Sequence, residues 1–109
     1  MDISIDLRYF KQISFGNLEI EMDMIESWKE DGLKRIAELE INVKSQNQKI
    51  IFNNLHALKT NFSMVNCYAG IKSCEILLDD IQKNRLIDSS NLIQLEKILK
   101  QIILTVANN

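Results

Sequence analysis

Proline is absent from this 109-residue chain, glycine occurs three times, cysteine twice, and histidine and tryptophan once each. With so few strong helix breakers, polar runs must supply most of the punctuation. The two cysteines, Cys67 and Cys74, lack the clustered Cys or His neighbours that zinc requires, so they read as reduced core thiols rather than as a disulfide or a metal pair. No apolar run approaches the length of a membrane span, and the opening MDISIDLRYF lacks the basic and apolar regions of a secretory signal, which makes the cytoplasm the expected location. Neither sign of charge dominates: a net charge of -2 gives no general attraction to nucleic acid or to an anionic membrane. Gly-rich phosphate loops are missing too, so the chain is not expected to bind ATP or to phosphorylate itself.

What is present is an ordinary globular balance, 46% hydrophobic and 26% charged, of a length suited to one core. A single domain over residues 1–109 is therefore expected, without repeats, linkers or low-complexity tracts. The hydrophobic period is helical nearly throughout. A short first helix fits DLRYFKQI, ended by the turn SFGN, where Gly16 permits an unusual backbone angle and Asn17 can cap the next helix. A second helix is predicted from about Leu18 to about Val43, with the stripe Ile20, Met24, Trp28, Ile36 and Leu39 and with Gly32 tolerated inside it. Polar SQNQ follows as a loop. A third helix from about Gln48 carries Ile51, Leu55, Leu58, Phe62 and Val65 on one face. After a turn near Asn66, a fourth presents Cys67, Ile71, Cys74, Leu78 and Ile81. The break KNRLIDSS precedes a fifth, capped by Ser89 or Ser90, with the stripe Leu92, Leu95, Leu99, Ile102 and Val106. Nothing reads as a strand. The expected fold is all-α: an antiparallel up-and-down four-helix bundle with the short first helix laid over one end.

The one histidine, His56, falls inside the third helix. At about 100° per residue it projects roughly 140° from the centre of the apolar stripe, so the ring faces water. A solitary surface histidine is by itself an ordinary polar group. Its neighbours at helical spacing are Phe52, Lys59, Thr60 and, one turn further, Ser63. Phe52 sits at the flank of the stripe, either as core edge or as an apolar foothold for a partner. Lys59 is either a solvated lysine or a cation able to neutralise an anionic group on the ring. No carboxylate constellation accompanies His56 in the sequence.

The string His56-Ala57-Leu58-Lys59, with Ser63-Met64-Val65 after it, resembles the H-x-L-K-[GS] signature of histidine phosphotransfer (HPt) domains. The DLRYFKQIS opening, the long second helix and the SCEILL segment also resemble parts of that family, so the likeness covers nearly the whole chain. Thr60 stands where the family has glycine or serine, and its branched side chain is expected to narrow the space beside the ring. Asn66 stands where a second glycine closes the helix, and asparagine tolerates the left-handed backbone such a turn needs. Gly70 replaces a residue that is usually apolar, which predicts looser packing between the third and fourth helices.

The resemblance implies a phosphoryl carrier rather than an enzyme: His56 would take the group from an aspartyl phosphate on a response-regulator receiver domain and pass it to another receiver. Lys59 would shield the phosphoryl charge, Ser63 would hydrogen-bond the same group, and Phe52 and Thr60 would shape the docking surface. The implied partners are receivers and a hybrid sensor histidine kinase, with no nucleic acid, membrane or small-molecule substrate. No resident cofactor or metal is implied, magnesium coming with the receiver. The competing class is a degenerate bundle of the same shape that binds a kinase or receiver as an adaptor without being phosphorylated, a reading Thr60 favours. A hydrolase or transferase on a small substrate is weaker, because a lone histidine has no evident acid, nucleophile or metal partner.

Overall fold

In a computed structural model of the chain, residues 3–45 and 47–107 are described. They form five helices, α1 (Arg8–Ile13), α2 (Leu18–Ser45), α3 (Gln48–Met64), α4 (Tyr68–Gln82) and α5 (Ser89–Ala107), and no strand occurs among them. The helices pack compactly, with a radius of gyration of 14.3 Å. The main contacts run from α1 to α2, α2 to α3, α3 to α4, α4 to α5, and from α5 back to α2. No helix of the described residues is long and apolar enough to cross a membrane.

The starts of α2, α3 and α5 are capped by side chains. Asn17 Oδ1 accepts from the Ile20 N–H at 3.2 Å, as the sequence predicts for α2. Asn47 Oδ1 accepts from the Ile50 N–H at 3.3 Å, which shrinks the predicted SQNQ loop, of which Gln46 lies outside the described residues. The cap of α5 is neither serine. Asp88 Oδ1 accepts from the Ser90 N–H at 2.9 Å, a carboxylate being the better match to the positive end of a helix. The first helix is shorter than DLRYFKQI suggests. Asp6 lies before it, bridged by both carboxylate oxygens to the Arg8 side chain, and its own N–H donates to the Val65 carbonyl at 2.8 Å.

Three helices stop in the same way. At the ends of α1, α3 and α4, Gly16, Cys67 and Arg85 each donate an N–H to the carbonyl five residues back, those of Lys11, Phe62 and Asp80. The residue before each donor is left-handed: Phe15 (φ 54), Asn66 (φ 52) and Asn84 (φ 55). These are Schellman turns built without glycine at the left-handed position. Asn66 thus holds the turn expected of it.

The core holds Phe10, Trp28, Ile36, Leu39, Ile51, Leu55, Leu58, Phe62 and Val65 from the first three helices and their turns, and Cys67, Cys74, Leu77, Leu95, Ile98, Leu99 and Ile102 from the remainder. Three sequence expectations change. Ile20 is 43% exposed, outside the core stripe of α2. On α4 the fully buried positions are Cys74 and Leu77, with Ile71, Leu78 and Ile81 only partly buried. On α5, Ile98 joins the core while Leu92 and Val106 stand at its margin. The rotation of α4 has a visible cause in Gly70. A methyl carbon there would overlap the ring of Phe62, the most distant of three ring carbons at 2.7 Å. The α3–α4 junction is therefore filled by an aromatic ring lying against bare backbone, the opposite of the loose packing expected from Gly70. Gly32 serves a gentler version of the same purpose, with Leu99 of α5 3.2 Å from where its Cβ would be.

A chain of polar contacts fixes α2 against α3. The Trp28 indole N–H donates to the Asn61 carbonyl at 2.9 Å, and Asn61 Nδ2 donates to Asp31 Oδ2 at 2.9 Å. Arg35 donates to Asp31 and, at 3.2 Å, to Oδ1 of the buried Asn54. Because buried polar groups demand particular partners, this chain sets the rotation of α3 and hence which of its residues point outward.

Candidate functional site

The outward face of α3 carries Phe52, His56, Thr60 and Ser63, all exposed, with Lys59 half-buried beside them. Asn47 fixes one end of the helix and Asn66 the other, while Leu55 and Leu58, both fully buried, anchor its middle. His56 is therefore displayed from a rigid element, as its angular position predicts.

Phe52 lies against His56 rather than in the core. Its ring stacks on the His56 imidazole with centroids 5.9 Å apart and planes inclined by 29°, and it remains 47% exposed. Such a stack one turn before the imidazole restricts ring rotation and shields one face from water. The other neighbours are arranged differently from expectation. Thr60 Oγ1 donates to the His56 carbonyl at 3.2 Å, a back-bond within the helix. Ser63 Oγ donates to the Lys59 carbonyl at 2.9 Å. Its one hydroxyl proton is thereby committed to the backbone, so in this state Ser63 has none to offer a phosphoryl group.

Lys59 reaches across to α4, where its Nζ lies 3.7 Å from Oε2 of Glu75. Glu75 is the residue that the helical face of α3 gave no reason to name, since it comes from the next helix. Phe52, Lys59 and Glu75 together with Leu78, Asp79 and Gln82 line a shallow groove between α3 and α4. Asp79 is matched there by Lys83 at 3.1 Å and by Arg85 at 3.3 Å. The carboxylate missing from the sequence reading of this face is thus supplied by the fold.

The two cysteines lie beneath the surface rather than on the exposed face of the site. Cys67 and Cys74 are free and buried, burial pushing the Cys74 thiol up to about 12 and the Cys67 thiol in the same direction. Neither is a nucleophile at neutral pH. Among the described residues no group of three or more His, Cys, Asp or Glu side chains is placed to hold a metal ion. The chain matches no family model, no curated protein and no solved structure.

Proposed function

We propose that this chain is a phosphoryl carrier of the histidine phosphotransfer kind, with His56 as both acceptor and donor. The observation that carries the reading is an exposed imidazole at the middle of a helix held at both ends, stacked by Phe52 and accompanied by a lysine one turn on. The packing of α2, α3, α4 and α5, each on the next and the last on the first, supports an antiparallel up-and-down four-helix bundle with α1 over one end. The likeness of His56-Ala57-Leu58-Lys59 to the HPt signature points the same way.

On this reading a receiver domain bearing an aspartyl phosphate docks over His56. The unprotonated ring nitrogen attacks phosphorus, the N–P bond forms as the P–O bond to the aspartyl carboxylate breaks, and the proton on the other ring nitrogen is released to water. Onward transfer reverses these bonds to a second receiver. Phe52 restricts the ring, Lys59 offsets charge on the phosphoryl oxygens, and Leu55 and Leu58 keep α3 from yielding as the partner docks. On this reading magnesium would come with the receiver and, bound there, would neutralise phosphoryl charge. Partners of this kind, receivers and a hybrid kinase, place the protein in the cytoplasm.

The test is incubation with a phosphorylated receiver and magnesium. Label should move onto this chain in an acid-labile, base-stable form, and His56→Gln, altered only at an exposed side chain, should fold normally and take none. Labelling retained in that variant refutes the reading. A second reading, an unphosphorylated adaptor of the same shape, is favoured by one residue, Thr60, and gains if the wild-type chain binds receivers yet is never labelled.

A further inference from the structure

We infer that Glu75 is the counter-ion that holds the Lys59 ammonium away from His56 while the ring is unmodified, so that Glu75 and a phosphoryl group on His56 compete for one cation. The inference rests on the carrier reading and concerns its regulation. Lys59 lies on the His56 side of α3, and its flexible four-carbon stem lets the ammonium turn back along the helix or cross to α4. The observed position is across, 3.7 Å from Glu75 Oε2, with side chains 36% and 47% exposed. A pair that open to water is weak and exchanges readily. Glu75 forms no other ion pair among the described residues, whereas Asp79 in the same groove keeps two cations of its own. The charge left on that groove therefore depends on where Lys59 points.

A phosphoryl group on His56 carries nearly two negative charges and attracts the ammonium more strongly than one carboxylate does. Once Lys59 turns to it, two consequences follow. Spontaneous loss slows: in that step the N–P bond breaks, water oxygen takes the phosphoryl group to give inorganic phosphate, and the ring regains a proton. With no acceptor docked, an ammonium paired with the phosphoryl oxygens stabilises the phosphorylated ring itself, and that pairing must be given up before water can take the group. At the same time Glu75 is left bare beside Phe52 and Leu78, so the phosphorylated protein presents a more acidic groove than the resting one. Glu75 thus limits how fully Lys59 can protect the phosphorylated ring.

The experiment phosphorylates the full chain with phosphoramidate, whose P–N bond breaks with loss of ammonia, then removes the reagent and follows the half-life of phosphohistidine. Glu75→Gln should lengthen that half-life about two- to fivefold, the ratio to which an exposed ion pair converts. In a Lys59→Ala background the same change should do nothing, because no ammonium remains to be released. An equal effect in both backgrounds, or none in either, overturns the inference. The outcomes separate the two claims: a chain labelled by neither phosphoramidate nor a receiver refutes the carrier reading and this inference with it, whereas a labelled chain indifferent to Glu75→Gln refutes the inference alone.

Discussion

Adding one methyl group at Gly70 tests whether the seat of the Phe62 ring sets the spacing of α3 and α4. In a solvent-facing helix Gly→Ala would stabilise by about 1 kcal/mol through helix propensity. Here the new carbon would overlap three carbons of a ring that is itself fully buried. Overpacking of this sort costs about 1–3 kcal/mol, and an overlap with three carbons of a fully buried ring belongs at the upper end. The net expectation for Gly70→Ala is a loss of about 2 kcal/mol, or about 8–16 °C in Tm for a domain of this size. Thermal melts followed by helix circular dichroism and by fluorescence of Trp28, the one tryptophan, would read it. Combining the change with Phe62→Leu should recover at least about 1 kcal/mol relative to the sum of the single effects, since the smaller side chain vacates the overlap. A Gly70→Ala protein that melts at or above the wild-type temperature would mean that the ring does not rest on Gly70 and would refute the argument. The site shares the outcome: forcing α4 outward also draws Glu75 from Lys59.

Two further predictions concern other parts of the chain. Thr60→Gly removes both the branched side chain beside His56 and its bond to the His56 carbonyl, so labelling of His56 should quicken while stability falls by about 0.5 kcal/mol or less; a destabilised variant that is labelled no faster, read by label uptake against a melt, shows that Thr60 does not obstruct the ring. Asp6 is held down at about 2 from an ordinary 3.8, chiefly by the Arg8 side chain and then by the Arg8 N–H. A depressed folded value means that its stabilisation is complete above about pH 4 and is lost as the pH falls toward 2. Asp6→Asn should therefore flatten that acid limb in a plot of Tm against pH, and parallel limbs in the two proteins would remove Asp6 from the account.

The five helices, their order and the outward turn of His56 were legible because apolar residues recur at helical spacing and polar runs separate them. Finer features depended on residues whose sequence signal misleads. Gly70 carries no side chain, so it drops out of any apolar stripe, yet it shares the buried face of α4 with Cys74 and Leu77. Counting only side chains shifts that stripe by a residue, toward Ile71, Leu78 and Ile81. Asp88 was hidden among other capping residues in KNRLIDSS, where two serines are equally plausible caps until the backbone is seen. The companions of His56 divide in the same manner. Phe52, Lys59, Thr60 and Ser63 share its helix and follow from spacing alone. Glu75 does not, because a partner on the next helix is fixed only when α3 and α4 meet, and the committed hydroxyls of Thr60 and Ser63 reflect local rotamers that spacing says nothing about.

The order in which the helices touch bears on how the chain reaches this shape. All the main contacts except that of α5 with α2 join helices adjacent in sequence. Contact order is therefore low, and most of the structure can assemble through short loop closures of the kind that proceed in microseconds to milliseconds. The long closure is the docking of Leu99 over Gly32, which brings the last helix back to the longest one. With no proline in the chain, no isomerisation delays it. During synthesis, however, the apolar surface that α5 covers stays open until that helix has been made. It is in this interval, before Leu95, Ile98, Leu99 and Ile102 arrive, that the nascent chain is most exposed to aggregation.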